Sequence, residues 1–443
     1  MRTGIKTITR QALNQFIRPS LFYPSMSKHC FPNESTSLLQ IGAKLYGLES
    51  ELKQRNIKHN FGSLYTPPHS QAVEVCKRFI QYNPGNLGNW SDDERETYAT
   101  TQLEYEVIRN AINLYQGDQK KLSGYITSGA SEGNIFSVWL GRTYLEKYCE
   151  SAKICLLKTS LTHYSVQKAG QLCNIPQFLI PLNKDKWNID SQGLETCIQD
   201  LHNRGYRGFI ISLTIGYTST GTSDDINQIT QIVNKLRRKL KGSKFFLWID
   251  AALNGLITPF LDKDFRPFES SHIKTFVVDF HKFGLVPYSA GIIIYQKKLK
   301  KLIEKSIDYL SETDATLLGS RSGIPAVSIW TMMHSLGKTG YTKLVKEQGE
   351  LKNYFIEKIK SISPATEILT HPHSLSCGLI LHGLKDTRLP SFIEDKYELH
   401  PAVTKLFFYP KEKKQQIIYK CFFLPHIKKE VINEFITDLL SLK

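Results

Sequence analysis

Two side chains set the chemical question. One is Lys282, in Val277-Val278-Asp279-Phe280-His281-Lys282-Phe283-Gly284; the other is Asp250, in Asp250-Ala251-Ala252. Three β-favouring apolar residues, Phe276 to Val278, lead into the turn that carries Lys282, which places its amine at the carboxyl end of a buried strand. The run Phe245-Phe246-Leu247-Trp248-Ile249 places Asp250 at the end of another. Open α/β sheets bind their ligands at that edge. An amine there can form a Schiff base with a carbonyl. A carboxylate nearby can keep a proton on a heterocyclic nitrogen. Together they are the pair that pyridoxal 5'-phosphate chemistry requires: the lysine holds the aldehyde and the aspartate the pyridinium proton.

Three further stretches fall in order along the chain. In Tyr125-Ile-Thr-Ser-Gly-Ala-Ser-Glu-Gly-Asn134, small and hydroxylated residues form a turn before a helix continuing through Ile135 to Leu145. Free N–H groups and the positive end of the helix dipole make such a turn an anion site. Thr162-His163-Tyr164-Ser165 offers a ring that could stack on a planar cofactor, and Thr214-Ile-Gly-Tyr-Thr218 offers hydroxyls at a third strand end. Each has an ordinary alternative: a flexible helix start, a satisfied loop histidine, a common turn, a surface charge. Their sequence of phosphate turn, ring, hydroxyls, Asp and Lys is what chance explains poorly.

The elements that must position them alternate. Strands are expected at Ile154–Leu157, Phe178–Leu182, Phe209–Leu213, Phe245–Ile249 and Ala290–Tyr295, and helices at Tyr164–Leu172 and Leu194–Leu201. Another helix should open at Ser223-Asp-Asp, with its cap and first-turn acids in favoured places, and end near Gly242. This alternation predicts an α/β fold with a mostly parallel, doubly wound sheet. Before it, helices are expected over residues 35–58, from Ala72 to Ile80 and from Glu104 to Tyr115, with turn-rich loops at residues 60–68 and 83–90. After Ile324 come a long helical stretch to Ile359, strands at residues 378–381 and 416–419, and an amphipathic helix from Ile427 to Leu442. The expected division is an N-terminal segment at 1–65, a large cofactor-binding domain at 66–325 and a small α+β domain at 326–443.

Composition narrows the alternatives. Hydrophobic content of 41% is that of a globular protein. The net charge of +16 would suit an anionic partner, but the lysines are dispersed and the densest cluster, Lys235 to Lys241, lies on one expected helix, so a solvated basic surface is the reading and no nucleic acid partner is expected. The eight cysteines include no CxxC pair, which argues against zinc, and no metal site is expected. No run is long or apolar enough to span a bilayer. The first 33 residues carry Arg2, Lys6, Arg10 and Arg18 and no acid, the composition of an organellar targeting segment or of a plain basic helix; a cytoplasmic location is the expectation.

These residues resemble a known family, the pyridoxal phosphate-dependent group II amino acid decarboxylases of the aspartate-aminotransferase fold. By pattern they resemble the branch of bacterial histidine and plant serine decarboxylases. The stretches that carry the resemblance are Thr127 to Asn134, His163-Tyr-Ser-Val166 with Lys168, Asp224-Asp-Ile226, Asp250 to Gly255 with Pro259-Phe260, His281-Lys282, and Asp314 to Gly323. The resemblance implies a seven-stranded sheet with helices on both faces. It implies Lys282 as the Schiff-base lysine, Asp250 as the pyridinium partner and His163 as the stacking ring. Gly129, Ala130 and Ser131 match the phosphate turn, with His281 also reaching the phosphate; Thr218 matches a hydroxyl near the cofactor, and Ala252 leaves room for the ring. Tyr309 matches the mobile-loop tyrosine that protonates the carbanion after carbon dioxide leaves, where phenylalanine marks aldehyde formation. That loop packs against the partner's site in the family, which implies a homodimer with shared active sites.

Departures from the pattern concern the phosphate end and the substrate. Ala130-Ser131 replaces Gly-Thr, and Asp279 stands where this branch often has serine, although archaeal tyrosine decarboxylases and sphingosine phosphate lyases carry an acid there. Ser322-Gly-Ile-Pro325 and Tyr288-Ser-Ala also differ from the pattern. The expected activity is decarboxylation of an L-amino acid, histidine before serine or tyrosine. The rivals are a carbon–carbon lyase acting on a phosphorylated sphingoid base and a catalytically silent regulatory relative.

Overall fold

The computed structural model describes residues 35–54, 57–88, 99–308, 312–382 and 388–442. Two compact units divide the chain, Met1–Asn56 and Ile57–Lys443. In the first, helix α1 (Leu38–Gln54) leaves Leu38, Leu39, Leu45 and Leu52 exposed; it is shorter than the expected 35–58.

In the second unit, α2 (Ser70–Ile80) and α3 (Ala99–Leu114) precede a seven-stranded sheet. Its strands are β1 (Leu122–Thr127), β2 (Ile154–Lys158), β3 (Gln177–Leu179), β4 (Gly208–Thr214), β5 (Lys244–Asp250), β6 (Ile273–Asp279) and β7 (Gly291–Gln296), in the order β1-β7-β6-β5-β4-β2-β3. The pairs from β3 across to β6 are parallel, and β7 runs antiparallel to both β6 and β1. Strands that run parallel need crossovers, and the connections from β1 through to β5 contain, in turn, α4 (Ala130–Leu145), α5 (Tyr164–Leu172), α6 (Ser191–Asn203) and α7 (Ile226–Lys239).

Helices on both faces explain the unbroken apolar runs, because alternate residues of one strand feed different cores. In β5, Phe245, Leu247 and Ile249 join one cluster and Phe246 and Trp248 the other; in β4, Phe209, Ile211 and Leu213 oppose Ile210. One buried strand end therefore carries each of Asp250 and Asp279 to the same edge.

Beyond the sheet, α8 (Ile324–Ile362) bends at Gly337, whose φ of 57° a side chain would strain. A four-stranded antiparallel sheet follows: β8 (Glu367–Thr370), β9 (Ser376–Ile380), β10 (Ala402–Phe408) and β11 (Glu412–Phe422), in the order β8-β9-β11-β10, with α9 (Ser391–Tyr397) and α10 (Lys429–Leu440). Phe61, Phe355, Tyr397 and Phe435 interlock in its core, with edge-on contacts at 5.0 Å between Phe435 and both Phe61 and Tyr397.

Three expectations are corrected here. The loop at 83–90 contains a strand, Gly85–Leu87, paired antiparallel with Ser320–Ser322. A buried ion pair beside it supplies the reason. Arg321 bonds Glu104 through Nη1, donates to the Gly88 carbonyl at 2.7 Å and to the Ile126 carbonyl at 3.0 Å, and lies over the Tyr125 ring. Glu104 is fully buried, accepts the Ile126 N–H at 2.7 Å and accepts from Asn86 Nδ2 at 2.7 Å. Removing one member of such a pair leaves an uncompensated buried charge. Glu104→Ala should therefore lower stability by roughly 3–5 kcal/mol in guanidinium denaturation; a loss under about 1 kcal/mol would mean that water reaches Arg321.

The second correction concerns Ser223-Asp-Asp. Asp225 alone caps α7, accepting the Gln228 N–H at 2.9 Å, and the helix has no first-turn acid. Asp224 is buried instead and ties three segments, accepting the Ile189 N–H at 2.9 Å, the Thr214 N–H at 2.7 Å and the Tyr217 hydroxyl at 2.9 Å. Burial pushes its carboxyl up to about 6, against the pull of those donors. In the unfolded chain the group ionises near pH 4. Its folded pKa being raised, this group adds nothing below that pH and subtracts stability as pH rises to about 6. Asp224→Asn should flatten that part of the stability–pH curve, measured by denaturation at pH 4 and pH 7; an unchanged slope contradicts this. The third correction is at α4, which begins at Ala130, so Ser131 to Asn134 belong to its first turns and not to the preceding turn.

Candidate active site

At the end of β5, Asp250 is almost wholly buried. Its Oδ2 accepts from Asn134 Nδ2 at 2.7 Å and its Oδ1 from the Ala252 N–H at 3.1 Å. Asn134 cannot turn round, because its Oδ1 accepts the indole N–H of Trp248 at 3.0 Å. The second proton of its amide reaches Ser165 Oγ at 3.0 Å, and that hydroxyl lies 2.8 Å from His163 Nδ1. With both amide protons given to Asp250 and Ser165, the serine hydroxyl is left to donate to His163 Nδ1. His163 also caps α5, accepting the Ser165 N–H. Burial lowers the His163 pKa; the Asp250 carboxylate opposes this and the Lys282 ammonium reinforces it. The imidazole is therefore neutral near pH 7 and fixed in one tautomer. The register of β5 and β6 sets Asp250 beside Val277, two residues before Asp279, so both strand ends reach one edge.

The other end of the site is the N-terminus of α4. Gly129 caps it at φ 153°, in the region that favours glycine, and a Cβ there would lie 3.1 Å from His281 Cε1. Glu132 holds the turn by accepting the Ser128 N–H at 2.7 Å. The Ala130 N–H donates to Asp279 Oδ1 at 2.6 Å. Asp279 Oδ2 lies 3.1 Å from Lys282 Nζ and 3.5 Å from His281 Nε2. His281 is held from behind, with Nδ1 2.8 Å from the Ala290 carbonyl and its ring 4.1 Å from that of Tyr288. Burial lowers its pKa, against the pull of Asp279.

The donor set suits pyridoxal phosphate. A helix N-terminus, an ammonium and an imidazole surround one end, and a dry carboxylate with fixed orientation stands at the other. Thr127 Oγ1, at the end of β1, is buried with no hydrogen-bond partner among the described residues. A Cβ on Gly291 would come within 2.8 Å of that hydroxyl, so glycine keeps this corner open.

The geometry gathers Lys282, Asp250, His163, Gly129, Ala130, His281, Asp279 and Ala252 at one edge. Ser131 is exposed on the first turn of α4. Thr218 is half-buried in the turn after β4, and among the described residues no hydrogen bond ties it to the cluster. Tyr309 lies outside the described residues. Sequence reasoning did not single out Asn134, Ser165 or Trp248. The available signal was Trp248 itself: a tryptophan in a strand buried on both faces needs an acceptor for its N–H.

The model of the family described as "Pyridoxal-dependent decarboxylase conserved domain" matches residues 94–385. A tryptophan decarboxylase of Clostridium sporogenes is 27% identical over 371 residues, covering 82% of this chain and 84% of that protein. A histidine decarboxylase of Vibrio campbellii is 30% identical over 285 residues, covering 64% and 70%. Among solved structures, an L-methionine decarboxylase of Streptomyces sp. 590 superposes with a TM-score of 0.78 at 16% identity over 93% of this chain and 97% of that one, a likeness of fold. A buried carboxylate and a lysine at neighbouring strand ends, on a sheet of this topology and within a matched family domain, have one common explanation: the chain belongs to the pyridoxal-dependent decarboxylases, carboxy-lyases of amino acids that work with pyridoxal 5'-phosphate.

Proposed function

We propose that the protein converts L-histidine to its amine and carbon dioxide, and that Lys282, Asp250, His163 and Tyr309 carry the reaction. The observation that supports the site assignment is the chain of bonds from Trp248 through Asn134 to Asp250 and through Ser165 to His163. Bound pyridoxal phosphate supplies an aldehyde for the substrate amine and a ring that accepts the electron pair released with carbon dioxide. Asp250 would hold a proton on the cofactor's ring nitrogen, and Asn134 and Ala252 keep its carboxylate oriented. His163, neutral and clamped, gives the ring a flat wall to lie against. Lys282 presents its amine just after β6, and the N-terminus of α4 with His281 would hold the phosphate. Tyr309 delivers the proton to Cα. The same reading makes the protein a homodimer with shared sites, with a large domain at 66–325 and a small one at 326–443.

A histidine decarboxylase among the relatives named above fits this choice, beside a tryptophan decarboxylase of similar identity. A panel of L-amino acids, given to the full chain with added cofactor and scored for amine and carbon dioxide, tests the choice. Histidine should show the highest kcat/KM. A higher value for tyrosine, tryptophan or serine would sink the histidine assignment. Cleavage of a phosphorylated sphingoid base without carbon dioxide would favour the lyase reading.

A further inference from the structure

Asp279 is held as an anion would be held. Its carboxylate is 4% exposed and takes the Ala130 N–H at 2.6 Å, the Lys282 ammonium at 3.1 Å and the His281 imidazole at 3.5 Å. A backbone N–H at a helix N-terminus, an ammonium and an imidazole are also the donors a phosphate would take. One N–H carries one proton, so a carboxylate and a phosphate cannot both accept it at full strength. Space is limiting too. A Cβ at Gly291 would lie 3.0 Å from Asp279 Oδ1, and one at Gly129 3.4 Å, so this carboxylate fills the floor between two glycines. Two anions placed side by side in such a buried corner repel each other.

We propose that Asp279 is an internal stand-in for the cofactor's phosphate. Its carboxylate and the phosphate compete for the Ala130 N–H, the Lys282 ammonium and the place beside the His281 ring, and the Asp279 side chain yields that place when phosphate enters. The inference rests on the reading that this cradle receives pyridoxal phosphate. It gives Asp279 two opposed effects. It orients Lys282 and His281 and keeps the turn at Gly129 closed, and it weakens the grip on phosphate.

The test uses the full chain freed of cofactor, as wild type, Asp279→Asn and Asp279→Ser. Asparagine keeps the shape and can still accept the Ala130 N–H without charge; serine clears the floor and offers a hydroxyl. Each protein is titrated calorimetrically with inorganic phosphate, and capture of pyridoxal phosphate and of unphosphorylated pyridoxal is followed by absorbance. Both variants should bind phosphate at least about tenfold more tightly than wild type, the size of one like-charge contact in a protein-like dielectric. Pyridoxal phosphate capture should gain relative to pyridoxal capture, whose own change reports only the altered setting of Lys282. A purely structural tie from Asp279 to Ala130 predicts the reverse, weaker phosphate binding in both variants. A wild-type chain that binds phosphate as tightly as the variants overturns the proposal, as does pyridoxal capture that moves in parallel with pyridoxal phosphate. Tighter phosphate binding without capture of pyridoxal phosphate by any of the three proteins leaves the competition standing and removes the cofactor reading instead.

Discussion

Lys282→Ala is expected to lower amine formation by roughly 10³-fold or more, the range seen when a positioned reactive group is lost, and to abolish the visible absorption near 420 nm that marks a lysine-bound cofactor of this kind, at about that wavelength. The fold should survive. Lys282 makes its ion pair with Asp279, which keeps two other partners, the Ala130 N–H and His281. The loss is therefore chemical: alanine leaves no amine to take the aldehyde or to release the product. Circular dichroism should match the wild type while steady-state amine production falls. A variant that keeps the band and a tenth of the activity would mean that another lysine does this work.

Asp250→Asn is expected to reduce kcat by roughly 10²-fold to 10⁴-fold. Asparagine fills the same volume, and its oxygen can still accept the Ala252 N–H. It cannot accept from Asn134 Nδ2 with its own amide turned that way, so two donors would meet where a bond of 2.7 Å now stands. Asn134 is pinned by Trp248 and cannot flip to relieve them. On the proposed assignment the variant loses the negative charge that would keep the cofactor nitrogen protonated, and it disturbs the bonds that reach His163. The KM should change less than kcat, because the lost interaction matters most as charge develops. Steady-state kinetics over a pH series reads both effects. A kcat within threefold of wild type would remove Asp250 from its role.

How much of this was legible in the sequence depends on how local each cause is. Strands β4, β5 and β6 announced themselves, because a strand buried on both faces must be apolar without interruption. Lys282, Asp250 and His163 followed, since each stands next to such a strand or opens the helix after one. Strand β1 went unread: Leu122-Ser-Gly-Tyr-Ile-Thr127 mixes small and polar residues, and its burial comes from pairing with β7, far along the chain. The strand Gly85–Leu87 was hidden for the same reason, being held by residues around Arg321. Asn134 lay inside a motif noticed for its phosphate turn, yet its partners Trp248 and Asp250 lie more than a hundred residues on, and no local pattern joins them. Asp224 looked like a helix-start acid because Ser-Asp-Asp before an apolar run has that pattern; tertiary burial turned it inward.

Reduction of the protein with borohydride in the presence of pyridoxal phosphate, followed by proteolysis and mass spectrometry, decides between this site and any other. The account predicts the pyridoxyl group on Nζ of Lys282, in the peptide that contains Asp279 and His281, and its absence from the Lys282→Ala protein. Recovery of that peptide unmodified, or of the label on a different lysine, would contradict it.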